Sequence, residues 1–313
     1  MSSYTQLLAI TLPIFALFAL GIAVRRLRWF GDEAEASLLK LVINLFYPCL
    51  IFKSVLGNAA LHDPANLFAA PLMGFGTLVL GMGAGLYMGR ILGLGVGTGL
   101  RTFAFAVGVY NYGYIPIPLV DSLWGRETLG VLLVYNVGIE MAFWTVGILL
   151  LSGLSPREGW KKLVNPVVIS LLVGVALNMF HITLPAIMLR TVDALAGCAI
   201  PLGLLMAGAG VDKHLHKPSD LFEARVSIGA SLLRLGILPL IFLALAKWLP
   251  LTLELKRVLV IQAAMPSGML SLVIARHYGG QPLVAARVIV ITALLGLAVI
   301  PLWIAFGLRW VGV

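Results

Sequence analysis

Val109-Tyr110-Asn111-Tyr112-Gly113-Tyr114-Ile115-Pro116-Ile117-Pro118-Leu119 lies in the middle of a long apolar run. Gly113, Pro116 and Pro118 fall within six residues and rule out a regular helix, because each proline lacks a donor and clashes with the turn before it. At membrane depth, backbone groups freed in this way are tolerated only where they face protein or a wet cavity. A broken helix also offers a half-helix N-terminus, whose free amides and positive dipole end attract anions. Asn111 places a neutral donor and acceptor just before the break, and a packing asparagine beside a structural kink is the alternative. A second stretch, Gln262-Ala263-Ala264-Met265-Pro266-Ser267-Gly268-Met269-Leu270-Ser271, has the same character, with Gln262 ahead of its break as Asn111 is ahead of the first.

Composition supports membrane depth as the frame for both stretches. Of 313 residues, 60% are hydrophobic and 11% charged, and the mean hydropathy is +1.02. Soluble domains carry about 25% charged residues, so most of this apolar surface needs lipid as its solvent. Crossing the hydrocarbon takes about 20 mostly apolar residues per helix. Ten runs qualify: 4–24, 37–56, 65–89, 102–123, 129–151, 165–180, 186–211, 225–246, 257–275 and 283–308. They predict an all-α polytopic membrane protein with ten transmembrane helices and the lipid bilayer as its partner. The first run reads as a span and not a signal peptide, since no Lys or Arg precedes it and no small-residue cleavage site follows.

Loops after odd-numbered runs hold fourteen Lys and Arg residues, against seven in the even loops and termini. The odd loops are therefore expected in the cytoplasm and both termini outside. The net charge of +9 resides mainly in these loops, so nucleic acid is not an expected partner. Cys49 and Cys198 sit inside apolar runs and read as small buried hydrophobes, with no disulfide framework, no metal-ligand spacing and no cofactor implied.

An internal repeat organises the chain. Pro13 and Pro166 are 153 residues apart, and the same offset relates Pro48 to Pro201, Gly113 to Pro266 and Pro118 to Ser271. The pattern predicts a first five-helix repeat over 1–151, a short cytoplasmic linker over 152–164 and a second repeat over 165–313. An odd number of spans inverts the second half, as in many secondary transporters, and brings the two breaks to one site near the midplane.

Glu140, Asp193 and Arg234 are singled out among the ionisable residues inside apolar runs, where charge is costly and usually faces an interior or cavity. Glu140 reads as a carrier of a coupling proton, as a lining residue, or as a structural acid paired with Arg234 or hydrogen-bonded internally. Arg234 reads as an attractor of anions, and Asp193, nearer a run's end, as solvated or capping. His214 and His216 lie in a polar loop and read as solvated. Gly81, Gly85, Gly89 and Gly93, four apart, read as a helix-packing stripe and not a phosphate loop.

The two broken stretches resemble the auxin efflux carrier family, in the bile/auxin transporter superfamily, whose members include plant PIN-type carriers and bacterial organic-acid permeases. Asn111 followed by Ile117-Pro118-Leu119 is similar to the family's fourth-span pattern, and Gln262-Ala263-Ala264-Met265-Pro266-Ser267-Gly268 to its ninth. Pro201-Leu202-Gly203 with Met206-Ala207 resembles its seventh. The resemblance implies a scaffold domain from spans 1, 2, 6 and 7 and a transport domain from spans 3–5 and 8–10. It further implies elevator-type alternating access, a carboxylate-bearing substrate at the crossing, and a homodimer. The family's fourth-span asparagine carries over to Asn111 and its crossover proline to Pro118.

Two departures matter. Ser271 stands where the plant carriers have a second crossover proline, so the ninth-span break is expected to be softer or nearer 266–268. The long hydrophilic loop of the large plant carriers is missing, which fits a short bacterial-type member and favours a small mono- or dicarboxylate over auxin. The expected substrate-binding set is Asn111, Tyr112, Pro116, Pro118, Gln262, Pro266, Ser267 and Ser271, with Glu140 and Arg234 in coupling or charge roles. The expected setting is the plasma membrane, in bacteria the inner one. A sodium-coupled bile-acid-type symporter is the alternative, and a channel or sensor on the same fold a further one. No metalloprotease or serine-hydrolase motif points to an enzyme.

Overall fold

The protein is described from a computed structural model covering residues 4–29, 31–152, 164–212 and 222–313. The 152–164 linker, apart from its first and last residues, and the loop holding His214 and His216 lie outside the described residues. Among the described residues the regular structure is helical, with one isolated antiparallel bridge between Tyr110 and Ser267.

Helix α1 spans Tyr4–Arg26. Helix α2 (Asp32–Leu41) runs through a π turn at Val42–Phe46 into α3 (Tyr47–Val55). Next come α4 (Pro64–Ile91), α5 (Leu100–Gly108) and α6 (Pro116–Ala142). A second π turn, Phe143–Gly147, leads from α6 into α7 (Ile148–Ser152). The second half holds α8 (Pro166–Met179) and α9 (Ala186–Asp212). Helix α10 (Ala224–Leu232) passes through a third π turn, Leu233–Ile237, into α11 (Leu238–Trp248). The chain closes with α12 (Leu253–Ala264), α13 (Leu270–His277) and α14 (Pro282–Val311).

Starts of these helices follow from local chemistry. The Asp63 side chain accepts from Ala65 N ahead of Pro64, and that of Asn165 accepts from Val168 N ahead of Pro166. Thr252 caps α12 by accepting from Leu255 N. Such caps satisfy amides that the first turn leaves unpaired, and proline at N1 gives up a donor that has no partner there.

Seven helical stretches are long and apolar enough to cross a membrane, among them Pro116–Leu151 and Pro282–Val311. Runs 102–123 and 129–151 do not end between helices as the sequence suggested. Their boundary is a kink inside α6, where Gly125 takes φ 68° and ψ −160°, a combination open to glycine. The 102–123 run is itself interrupted after Gly108, and the 257–275 run splits into α12 and α13. The 165–180 run yields a helix of 14 residues.

Small residues set the closest contacts. A Cβ on Gly74 would stand 2.1 Å from the Tyr135 carbonyl oxygen, and one on Gly138 1.8 Å from that of Pro71, so α4 and α6 meet backbone to backbone. Gly81 and Gly85 lie against Gly108 and Ala104 of α5, which makes that stripe a packing surface, whereas Gly93 has φ +78° and no close neighbour. Across α1 and α9, a Cβ on Gly208 would stand 2.0 Å from the Phe18 carbonyl oxygen. Helix α1 lies along α9, and α3 packs on α8 and α9. Helix α4 lies along α5 and α6, while α12 packs on α11, α14 and α6. Asn58 and Asn178, both buried, exchange two hydrogen bonds: Asn58 N donates to Asn178 Oδ1 (3.1 Å), and Asn178 Nδ2 to Asn58 O (3.0 Å).

Asp193 is not merely solvated, since its carboxylate pairs with Lys53 of α3 at 2.7 Å on an open face. Cys49 is buried as expected and Cys198 half-buried, both as free thiols.

Candidate functional site at the crossing of two broken helices

Helix α5 stops at Gly108 because Val109 turns extended, with φ −80° and ψ 101°. Helix α12 stops at Ala264 in the same way, with Met265 at φ −74° and ψ 138°. The two extended segments cross and pair as a minimal antiparallel ladder. Asn111 N donates to Pro266 O (2.8 Å), and Gly268 N donates to Val109 O (2.7 Å). Four backbone groups that the breaks would orphan are thereby satisfied, as burial requires. Gly268 is needed here, since a Cβ would stand 2.8 Å from the Tyr110 carbonyl oxygen.

Asn111 therefore lies inside its break, and not ahead of it as its place in the sequence suggested. Its side chain accepts a long hydrogen bond from Ile115 N (3.4 Å) and is partly exposed. Pro116 and Pro118 are buried in the first turn of α6, beyond the crossing. The ninth-run break covers 265–269, close to where the missing second proline led one to expect it. Ser271 sits in the first turn of α13, where its hydroxyl donates to Gly268 O (2.7 Å).

Arg234 is the central group behind the crossing. It is fully buried in the π turn of residues 233–237, a form of helix found often at functional sites. Its Nε donates to Met265 O (2.7 Å) and its Nη2 to Gln262 O (2.9 Å). The guanidinium thus meets the carbonyls at the end of α12, where the helix dipole favours a cation. It also lies over the Tyr110 ring, 4.6 Å from the centroid. The Tyr110 hydroxyl is hydrogen-bonded to Thr77 Oγ1 (2.9 Å) and the Tyr135 hydroxyl (2.7 Å), and those two to each other (2.6 Å). No acid among the described residues pairs with Arg234.

Several buried polar atoms at the crossing have no hydrogen-bond partner among the described residues. They are both amide atoms of Gln262, the Ser267 hydroxyl and Arg234 Nη1. Gln262 and Arg234 are fully buried and Ser267 is 3% exposed, so water does not reach them freely.

Glu140 stands apart from this group. Tyr112 Oη donates to one carboxylate oxygen (2.6 Å) and Trp144 Nε1 to the other (2.8 Å). Asn136 Nδ2 donates to the Tyr112 carbonyl (3.0 Å), so the first break is tied to α6. Of the two structural readings for Glu140, internal hydrogen bonding holds and pairing with Arg234 does not. The facing residues come from α3 and α9: a Cβ on Gly203 would stand 3.2 Å from Tyr47 Oη and 3.5 Å from Tyr114 Cε1.

Sequence reasoning found Arg234, Gln262 and both breaks. It did not find Thr77, Tyr110 and Tyr135, whose hydroxyls look like ordinary content of apolar runs, nor Thr292 of α14, whose Oγ1 accepts from Ser267 N (3.2 Å).

Long apolar helical stretches, with two interrupted segments crossing inside the bundle, define a polytopic membrane protein. Residues 7–304 match the family described as membrane transport protein, and the chain belongs to that family, the one that includes the auxin efflux carriers. It is 29% identical over 297 residues to an uncharacterized transporter of Methanothermobacter thermautotrophicus, covering 93% of this chain and 95% of that protein.

Proposed function

We propose that this integral membrane transporter is a secondary carrier for a small organic anion, a mono- or dicarboxylate. One observation carries the reading. A guanidinium is buried at the crossing, where no acid among the described residues pairs with it and the Gln262 amide and Ser267 hydroxyl have no partner among them either. An unbalanced charge in a low-dielectric interior is costly, and a bound carboxylate would offset it. Helices α6 and α13 begin a few residues after the two crossing segments, and their N-terminal ends would favour negative charge.

In this reading Asn111 and Gln262 hydrogen-bond the substrate, Ser267 and the half-helix ends stabilise its charge, and Tyr112 links the site to Glu140, where a coupling proton would reside. Access would alternate by an elevator movement of α4–α7 and α10–α14 against α1–α3, α8 and α9. The preferential packing of α1 on α9 and of α4 on α5 and α6 supports this division. The repeat offset of 153 residues supports ten spans in two inverted halves, and the loop charges support an orientation with both termini outside, in a plasma or bacterial inner membrane on this reading.

Thermal melting of the purified protein across a panel of small carboxylates, at varied pH and with sodium present or replaced, tests the reading. A ligand that binds only the folded state raises its apparent stability. A selective shift with one carboxylate, lost in Asn111→Ala, is the expected result. No shift with any carboxylate, together with one from a cation or a neutral solute, would reject the substrate class.

A further inference from the structure

A cavity of about 260 Å³ lies away from the crossing, at the end of the bundle where α6 kinks, α12 begins and α14 ends. Trp124, Arg257, Leu308 and Arg309 are among its lining residues. We propose that this cavity binds one oxyanion, a phosphodiester or carboxylate group, held between Arg257 and Arg309.

Charge and unmet hydrogen bonding argue for the site. Arg257 Nε is buried and donates to nothing among the described residues. Its guanidinium lies 5.4 Å from the Trp124 ring centroid, which fixes its plane without neutralising it. Neither Arg257 nor Arg309 forms an ion pair or hydrogen bond among the described residues, so two cations line one small cavity with no acid bound to either. Guanidinium groups present forked donors that match a phosphate or carboxylate. The volume is below the range of about 300–1,000 Å³ usual for drug-sized ligands and suits a small anionic group.

The surroundings favour a phospholipid as the source. Trp248 and Trp310 pack edge to face at 5.7 Å, and Lys247 lies 4.7 Å over the Trp310 ring. Tryptophans and basic residues at one end of a helical bundle mark a membrane–water interface, the level at which lipid headgroups sit.

The experiment measures binding and not transport, so it is decided separately from the proposed function. Purified protein is melted in neutral detergent with phosphatidylglycerol, phosphatidylcholine, inorganic phosphate or acetate, and bound lipid is counted by native mass spectrometry. Phosphatidylglycerol is expected to raise the melting temperature and remain bound as one retained molecule. Arg257→Gln with Arg309→Gln should abolish both effects, lowering affinity about tenfold to a hundredfold for each charge-assisted hydrogen bond removed. An equal shift from phosphate or acetate that depends on the same arginines would assign the site to a free anion. Shifts and lipid counts unchanged in the double variant, or no shift from any anion, would overturn the proposal. Should the double variant melt early without added lipid, the single Arg309→Gln variant, altered at an exposed residue, gives the same comparison.

Discussion

The amide of Asn111 donates to the carbonyl of Pro266 across 2.8 Å, joining the two halves of the chain inside an otherwise helical bundle. With the reciprocal bond from Gly268 to Val109, it turns two helix breaks into one structural element. Substitutions in that element and in the side chains around it have separable consequences for folding and for transport.

Gly268→Ala would push a methyl to 2.8 Å from the Tyr110 carbonyl oxygen, which belongs to the backbone and cannot swing aside. Overpacking of this kind costs about 1–3 kcal/mol. The melting temperature should fall and transport with it. Gly113→Ala, which meets nothing within 4 Å, should melt like the parent, and an equal loss in both would contradict the geometry.

Arg234→Met removes the donors to Gln262 O and Met265 O and leaves both carbonyls buried. Gln262 O still accepts from Met265 N (3.3 Å), whereas Met265 O is left without its donor, a loss of about 1–3 kcal/mol, so this variant should melt below the parent. Arg234→Lys keeps the charge but loses the fork, and should fall between the two. A melting series ordered parent, lysine, methionine is the expected outcome.

Gln262→Leu separates function from folding. The side chain makes no hydrogen bond among the described residues and is fully buried, so its removal should leave stability unchanged or raised. Uptake of the transported carboxylate in proteoliposomes should fall about tenfold or more, the loss of roughly one charge-assisted hydrogen bond. Normal uptake in this variant would remove Gln262 from the site.

Glu140→Gln should flatten the dependence of uptake on pH while preserving the fold, because the amide oxygen can still accept from one of Tyr112 and Trp144. Tyr112→Phe should weaken the same dependence. A pH profile that is identical in all three proteins would exclude Glu140 from coupling.

Much of this was legible in the chain itself. Apolar runs announce helices because lipid-exposed backbone must satisfy its own hydrogen bonds, and Pro116, Pro118 and Pro266 mark breaks because each lacks a donor and crowds the turn before it, although Pro13, Pro71, Pro201 and Pro301 stay inside helices. The position of each break within its run was less legible. Helix α5 ends at Gly108, well before Pro116, since the segment gains a crossing partner by extending. Asn111 is accordingly in the interior of the break and not at its edge, and the boundary near Gly125 is a kink inside one helix.

By itself the sequence determined a helical membrane chain with two interrupted segments and with ionisable residues, Glu140, Asp193 and Arg234 among them, within its apolar runs. Those features depend on composition and on covalent properties of proline and glycine, which act over a few residues. Only the tertiary structure decided what the ionisable residues do: Arg234 caps the end of α12, Glu140 is held by Tyr112 and Trp144, and Asp193 pairs with Lys53. Partners 4 to 140 residues away are chosen by which helices pack together, and a buried polar group takes whichever donor or acceptor that packing brings within about 3 Å.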